Sequence, residues 1–183
     1  MLTGRIAPSG RTPITWPRAV GQIPLYFGER SSGRPTDPTG PFSSRYIDES
    51  NAPLFPFGHG LTYGRCNMSS LRVTPQSADA SATVEVRVDV ENQGTRTAEE
   101  TVFLFTRRLK SRVAPPVLEL HGVGKITLEP GARDTLVLHL PVAELRSLGP
   151  DLEPTLEPGA VDILVGPSAD RASLLAARLE IVA

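Results

Sequence analysis

The chain has 183 residues with 19 basic and 20 acidic side chains, which gives a formal net charge of -1. This near-balance excludes the basic surface of a nucleic-acid-binding protein and gives no reason to expect an anionic membrane as partner. Apolar residues make up 39% of the chain. That is enough for a hydrophobic core, but no apolar run reaches the roughly 18 residues of a membrane-spanning helix.

Residues 1–64 form a segment rich in turn-forming and aromatic residues, which we call the arm. It holds nine of the 18 prolines, nine of the 16 glycines and eight of the ten aromatic residues. Few strand patterns occur in it, so its aromatic side chains must be covered by some other part of the protein or by a ligand. The composition therefore divides the chain near Gly64.

Residues 65–183 predict an all-β domain. In the run 81–91, valines alternate strictly with polar residues, which indicates a half-buried antiparallel strand. Further strands follow at spacings of roughly 10–20 residues, a pattern typical of an immunoglobulin-like sandwich. The seven predicted strands span residues 71–73, 81–91, 101–106, 118–128, 135–140, 161–165 and 174–182.

The segments between these strands carry the residues of tight turns. Asn92-Gln93-Gly94 and two Glu-Pro-Gly sequences, at 129–131 and 157–159, supply glycines that tolerate a positive φ. Gly122 and Gly124 interrupt one strand and predict a bulge there. Residues 142–148 are the one short helical candidate. Cys66 is the only cysteine, which excludes an internal disulfide.

Several sequence blocks resemble the C-terminal stretch of glycoside hydrolase family 3, which contains β-glucosidases and β-xylosidases, particularly its bacterial periplasmic β-glucosidases. In the arm these blocks are SGRTPITWPR at 9–18, GQIPLY at 21–26, GRP at 33–35, SRYID at 44–48 and PLFPFGHGLTY at 53–63. In the β domain they are NQG at 92–94, GVGK at 122–125, LEPG at 128–131 and EPG at 157–159. The likeness covers nearly the whole chain in the same order.

The resemblance implies an architecture for the parent enzyme. Family members carry a barrel domain with the nucleophilic Asp, an α/β sandwich domain with the acid/base Glu, and a terminal fibronectin type III-like domain. Residues 1–64 then correspond to the end of the α/β sandwich domain plus a connecting arm, and residues 65–183 to the fibronectin type III-like domain. Both catalytic motifs precede this segment, so we assign no catalytic, cofactor-binding or metal-binding residue and expect no cofactor.

This sequence departs from the family pattern at a few positions. His59 stands where the family usually has Tyr, and Val123 and Val161 stand where Phe or Tyr is usual. Ala98 occupies a position where Gly is frequent. Residues 64–66 replace a stretch that commonly ends in an aromatic residue. These departures bear on the packing of the β domain and leave the resemblance intact.

The carboxylates were weighed as catalytic candidates, since a retaining glycosidase needs two carboxyl groups about 5–5.5 Å apart. The arm offers Asp37, Asp48 and Glu49, of which Asp48 is the most interesting because Arg45 and Tyr46 accompany it in a matching block. For Asp48 we favour a hydrogen bond or ion pair that anchors the arm. The acidic residues of the β domain are expected on solvent faces or in a turn: Glu85, Asp89, Glu99 and Glu100.

Other chemical motifs are weak. His59, His121 and His139 lack the spacing of metal ligands, and His139 is expected to face outward on its strand. No nucleophile elbow of a Ser-His-Asp hydrolase occurs. A basic cluster, Arg107-Arg108 with Lys110 and Arg112, could contact a phosphate or a carboxylate partner, although a solvated loop is the interpretation we favour.

The aromatic side chains of the arm suggest two roles. Trp16, Tyr26, Phe27, Tyr46 and Tyr63 could stack against sugar rings, or they could pack between domains, which we favour. Without its neighbours the arm is then expected to be poorly protected or to self-associate. A protease is expected to cut within residues 28–41 and to leave a resistant core beginning near Cys66.

We interpret the chain as the non-catalytic C-terminal portion of a β-glucosidase-like hydrolase, inactive alone, with the parent's catalytic domains as partners. Two alternatives stay open: a free-standing β-sandwich module that binds carbohydrate or protein, and one subunit of a split enzyme. Residues 2–17 resemble mid-domain sequence, so Met1 need not be the true start. Residues 1–5 lack the apolar stretch of a signal peptide, which leaves localisation unknown, although the parent enzyme is expected to be periplasmic or secreted.

Overall fold

The computed structural model describes residues 2–4, 6–30 and 43–182. Within these residues the regular structure consists of ten strands and three single turns of 3₁₀ helix. The strands are β1 (Cys66–Thr74), β2 (Ser77–Ala78), β3 (Thr83–Asn92), β4 (Ala98–Arg108), β5 (Glu119–Leu128), β6 (Arg133–Pro141), β7 (Ser147–Leu148), β8 (Pro154–Thr155), β9 (Gly159–Gly166) and β10 (Leu175–Ile181). The 3₁₀ turns are Val20–Gln22, Val142–Leu145 and Arg171–Ser173.

Two sheets pack face to face and form a sandwich. One has the strand order β1-β3-β6 and the other the order β2-β10-β9-β4-β5, while β7 and β8 form a small separate hairpin. Neighbouring strands are antiparallel except for β2 and β10, which are parallel. The predicted all-β sandwich preceded by an arm is therefore confirmed.

The main core lies between the two sheets, because alternate residues of β3, β4 and β9 face inward. This is the burial that the alternation of the sequence predicted for β3. The fully buried apolar residues that these strands contribute to this core are Val84, Val86, Val88, Val90, Val102, Leu104, Ile163 and Val165. Val161, where the family usually has an aromatic, belongs to the same core, whereas Val123 is exposed.

The seven predicted strands all exist, and their lengths differ most at the start of the domain. The strand predicted at 71–73 begins at Cys66, five residues earlier. Only Val142–Leu145 of the predicted helix is helical, as one 3₁₀ turn, and Ser147–Leu148 is a strand. The two-residue strands escaped prediction because so short a segment carries no periodicity. A bulge is present one residue before Gly122: the β4–β5 register shifts between Leu104 and Phe105, so His121 is the extra residue of β5.

A second hydrophobic cluster lies on the outer face of the five-stranded sheet. Phe103 and Phe105 point outward from β4, opposite in direction to Val102 and Leu104, and are almost fully buried. Phe27 and Phe57 of the arm cover them. This sheet is therefore buried on both faces at this point, which explains the apolar run at residues 102–105 of β4.

The two ends of the described arm lie side by side. The amide of Thr12 donates to the carbonyl of His59 at 2.8 Å, and the amide of Trp16 donates to that of Phe55 at 2.8 Å. Arg30 forms a further isolated bridge with Pro116. The two hydrogen bonds of Thr12 and Trp16 hold residues 12–16 against residues 54–59. The described part of the arm thus has a defined backbone although it contains almost no regular secondary structure.

Glycines of the Pro-Phe-Gly-x-Gly block are required by close packing. Gly58 has φ of +81°, and a Cβ atom there would lie 2.8 Å from Cε2 of Phe103 and 3.0 Å from Cα of Ser168. At Gly64 a Cβ atom would collide with the Cβ of Ala98. The space between positions 64 and 98 therefore holds only one methyl group. In this chain Ala98, where the family often has Gly, supplies that methyl group, and residue 64 is Gly.

Candidate interaction surface of the arm

Phe57 is the centre of the contact between the arm and the β domain. Its ring centroid lies 4.6 Å from that of Phe27, 5.4 Å from that of Phe103 and 6.4 Å from that of Phe105. Its carbonyl accepts a 2.9 Å hydrogen bond from the amide of Ala169. This differs from the expectation that the arm lacks a packing partner in the isolated chain: part of it packs on its own β domain.

A buried ion pair adds a second anchor. The guanidinium of Arg11 binds the carboxylate of Glu100 and donates a 3.0 Å hydrogen bond to the carbonyl of Gly60. The two side chains are only 12% and 6% exposed. Burial raises the pKa of Glu100, and the charge of Arg11 opposes that rise. The expectation that Glu100 lies on a solvent face is therefore wrong.

The sequence does contain the signal that identifies Glu100 as inward-facing. Glu100, Val102 and Leu104 share one face of β4 because side chains alternate along a strand. The strand predicted from the sequence begins at residue 101 and therefore does not include Glu100, whereas β4 begins at Ala98. Sequence alone does not reveal Arg11 as its partner, since the two residues are 89 positions apart.

Polar contacts hold the outer part of the arm together. The buried side chain of Gln22 accepts a hydrogen bond from the amide of Arg18 at 2.5 Å and donates to the carbonyl of Ser50 at 2.8 Å. The Arg18 side chain donates to the carbonyl of Ala52 at 3.1 Å. These bonds tie the 3₁₀ turn at Val20–Gln22 to residues 50–52. Residues 18–22 and 50–52 are consequently held in fixed positions relative to each other.

The arm leaves much of its apolar surface uncovered. Of the 18 exposed large apolar side chains among the described residues, 13 lie in the arm. Its exposed aromatic residues are Trp16, Tyr26, Tyr46, Phe55 and Tyr63, and Trp16 is 47% exposed. Such a concentration of apolar surface marks a binding or packing surface.

The predicted carboxylates of the arm do not form a catalytic pair in the described structure. Asp48 is exposed and has no hydrogen bond or ion pair with any described residue, so the anchoring role we favoured belongs to Arg11 and Glu100 instead. Glu49 is also exposed and lies 3.9 Å from Arg18. Asp37 lies outside the described residues.

Two carboxylates on the outer faces of the sheets are each bound by a pair of arginines. Asp89, on the three-stranded sheet, accepts from Arg72 at 2.7 Å, from Arg133 at 2.8 Å and from Thr135 at 2.8 Å. Its buried position corrects the expected solvent exposure, because the long arginine side chains cover it. Glu85 and Glu99 do lie at the surface, where each pairs with a neighbouring basic residue.

Asp162, which is not among the residues singled out from the sequence, is likewise bound by two arginines on the other sheet. Arg107 donates to it at 2.6 Å and Arg178 at 3.0 Å, and the three residues lie directly opposite one another on β4, β9 and β10. Arg107 of the basic cluster therefore serves a structural ion-pair network. A polar residue between Val161 and Ile163 in a buried strand is the signal for such a role.

Replacement of Asp89 by Asn should make stability less dependent on acid pH. Hydrogen bonds from Arg133, Thr135 and Arg72 hold the pKa of Asp89 well below its usual range, so this carboxylate stabilises the fold above the unfolded-state pKa of about 3.9. That stabilisation is lost as the pH falls through the folded-state pKa. Thermal unfolding should show Asp89→Asn melting lower than the native chain at pH 7, with a gap that shrinks below about pH 4. A gap independent of pH would contradict this assignment.

The histidines occupy three different environments. His59 stacks on Phe55 with ring centroids 4.5 Å apart, His121 is buried beside Glu119, and His139 is exposed as expected. In the described part of the chain no group of three or more His, Cys, Asp or Glu residues could hold a metal ion. No helix among residues 2–4, 6–30 and 43–182 is long and apolar enough to cross a membrane.

Comparison with known proteins places these features in a family. Residues 100–169 match the profile of the family described as Fibronectin type III-like domain. The chain is 34% identical over 173 residues to the periplasmic β-glucosidase of Salmonella typhimurium, covering 93% of this chain and 23% of that protein. It is also 34% identical over 169 residues to a β-xylosidase of Formosa agariphila, covering 92% of this chain and 23% of that protein.

Solved structures agree over the full chain. The β-glucosidase from Listeria innocua in complex with glucose superposes with a TM-score of 0.89 at 28% identity, covering 100% of this chain and 25% of that one. A β-glucosidase from Erythrobacter marinus gives a TM-score of 0.86 at 31% identity, covering 99% and 23%. The chain thus spans about a quarter of the length of these relatives, which agrees with the predicted non-catalytic C-terminal portion. Over nearly its whole length the chain is therefore similar to the C-terminal segment of these β-glucosidases and β-xylosidases, and residues 100–169 of it match the Fibronectin type III-like domain.

Proposed function

We propose that this chain is a structural part of an enzyme that hydrolyses β-glucosides or β-xylosides, and that its arm packs against the catalytic portion of that enzyme. The names of the relatives support this substrate class. Residues 1–64 are then the end of the α/β sandwich domain plus the connecting arm, and residues 65–183 the terminal domain. The catalytic carboxylates belong to the part of the enzyme outside this chain.

The observation that carries the proposal is the uneven distribution of exposed apolar side chains. Only five of the 18 exposed large apolar side chains of the described residues belong to the β domain, whereas the arm exposes residues as large as Ile14, Ile47 and Trp16. Burying such surface contributes roughly 25 cal/mol per Å². An arm anchored on one side by Phe57 and Arg11 and apolar on the other is suited to joining two domains.

A chimera tests this role. The matching segment of the Salmonella typhimurium enzyme would be replaced by this chain, and hydrolysis of p-nitrophenyl β-glucoside compared with that of the enzyme lacking the segment. We expect the chimera to be active and the deleted enzyme to be inactive or insoluble, because the catalytic domains lose their packing partner. The isolated chain should not hydrolyse aryl β-glucosides or β-xylosides.

Exposed residues of the arm supply the matched variants. Ile14→Ser and Trp16→Ser together should lower the melting temperature of the chimera while leaving that of the isolated chain almost unchanged. Val123→Ser, at an exposed apolar residue of the β domain, is the control and should alter neither. Equal melting temperatures for all chimeras, or hydrolysis by the isolated chain, would refute the proposal.

The exposed aromatic residues also favour a second candidate, a module that binds carbohydrate by stacking. Tyr26 and Tyr63 are about half exposed, as a stacking platform requires. Calorimetry of the isolated chain with cello-oligosaccharides and xylo-oligosaccharides distinguishes the two functions. Heat of binding that is abolished by Trp16→Ser would favour the module, whereas no heat with either series favours the packing role.

A further inference from the structure

A cavity of about 280 Å³ is lined mainly by residues of the β domain, and its lining includes none of the exposed aromatic residues of the arm. It is bounded by the end of β4, by the loop that joins β4 to β5, and by the turn and short strand that follow β6. Arg30 contributes to its wall from the arm. Neither the packing of the arm nor the proposed structural role accounts for this cavity.

Arg108 is the half-buried cation of this cavity. Its Nη1 donates to the carbonyl of Glu157 and its Nη2 to the carbonyl of Leu145, each at 2.8 Å. These bonds fix the plane of the guanidinium and leave further N–H groups unused. No carboxylate among the described residues forms an ion pair with it, although Glu119 and Glu157 lie near enough to feel its charge. A half-buried charge without a counter-ion is costly unless an anion approaches it.

The other charges of the cavity increase this imbalance. Arg30 and Arg146 are exposed at its rim, and within the described part of the chain neither side chain has an ion pair or hydrogen bond. Glu119 is the only carboxylate of the lining, and it lies 3.7 Å from the Nε2 of His121. Contact with His121 also holds the pKa of Glu119 below its usual range. The lining therefore contains three arginines and one carboxylate, and the carboxylate of Glu157 lies near Arg108 outside the lining.

The remaining wall is mixed. Val113, Pro116 and Leu148 are among its apolar residues, whereas Thr106, Ser111 and Ser147 carry hydroxyl groups. An inorganic anion makes no favourable contact with the apolar part of this wall, whereas the carbon atoms of a small ring do. The volume is slightly below the roughly 300 Å³ at which sites for drug-sized ligands begin, so it suits a single ring.

We propose that this cavity binds the carboxylate of a small organic anion the size of one sugar ring. The planar fork of a guanidinium matches a carboxylate with two parallel hydrogen bonds, and Arg30 and Arg146 supply the additional donors at the rim. The ring contacts the apolar wall. A neutral sugar of the same size lacks the group that the arginines recognise.

Isothermal calorimetry on the full 183-residue chain in a phosphate-free buffer tests the site with D-glucuronate as the probe. We expect saturable binding that weakens with added NaCl, and no binding of D-glucose, which has the same ring without the carboxylate. Arg146→Gln should weaken D-glucuronate binding by about tenfold or more, since it removes a charged hydrogen-bond donor. Arg87→Gln, at an exposed arginine on the other sheet, is the matched control and should leave the affinity unchanged.

Three results would overturn the inference: no binding of D-glucuronate, equal binding of D-glucose, or inorganic phosphate binding as tightly as D-glucuronate. The last result would mean that the apolar wall takes no part. Thermal unfolding of Arg146→Gln and Arg87→Gln verifies that both variants are folded. Because binding rather than hydrolysis is measured, the outcome is independent of the proposed structural role.

Discussion

Replacement of Arg11 by Met should destabilise the chain by about 3 kcal/mol at pH 7, because it leaves Glu100 buried without its counter-ion. The pKa of Glu100 is already raised by burial, and loss of the guanidinium removes the interaction that opposes this rise. A folded-state pKa above the unfolded value of about 4.3 favours the protonated acid, so the associated stability is present below that pH and lost as the pH rises. Urea unfolding at pH 7 and pH 4.5 should therefore show a smaller loss at the acidic pH.

A double variant separates the buried charge from ordinary packing. Arg11→Met combined with Glu100→Met removes both charges, and we expect it to recover most of the stability that Arg11→Met loses. Arg18→Met is the matched control, since Arg18 is 37% exposed and lies 3.9 Å from Glu49. It should cost less than about 1 kcal/mol. If the double variant is as unstable as Arg11→Met alone, the arginine acts through its contacts with the arm rather than through its charge.

Phe57→Ala should also cost about 3 kcal/mol, because it removes the ring that joins the arm to the β domain. The loss is expected to be local. The core between the sheets does not include Phe57, so the sandwich should remain folded while the arm detaches. Limited proteolysis should accordingly degrade the arm of the variant faster than that of the native chain and leave a fragment that begins near Cys66.

Phe55→Ala is the control, two residues away in the same block. Its ring is 37% exposed and stacks on His59 instead of on the sheet, so little buried surface is lost. We expect a protease pattern like that of the native chain and a stability change below about 1 kcal/mol. Detachment of the arm in both variants would indicate that the block as a whole, and not the Phe57 contact, holds the arm in position.

Local pattern was sufficient to predict the sandwich. Only an extended strand buries the alternating valines of β3 on one face. The turn sequences at 129–131 and 157–159 mark the ends of the neighbouring strands in the sequence. The outer cluster could not be predicted in this way. Phe103 and Phe105 alternate with equally apolar neighbours, so their positions alone do not say which face meets the arm.

The long-range polar contacts could not be predicted from the sequence for a related reason. Asp89 and Glu100 occur in strands with many charged residues, and burial depends on which distant arginine reaches them. The sequence places Arg108 in a basic cluster, but the cavity beside it is completed by residues 145–148, about 40 residues further along the chain. Periodicity identifies which face a residue is on and not what covers that face. The division of the chain at residue 64 stays a prediction.

The parallel pairing of β2 with β10 has a mechanical consequence. Ser77 lies opposite Glu180 and Ala78 opposite Ile181, so the second strand of the domain is bonded alongside its last strand. Further backbone hydrogen bonds extend the pair, from Glu180 to Gln76 and from Val182 to Ala78. A force that pulls β2 towards the start of the chain and β10 towards its end loads all these bonds together, in shear, rather than opening them one by one. The pairing therefore resists extraction of the last strand from the sandwich by a pull on residues that follow β10.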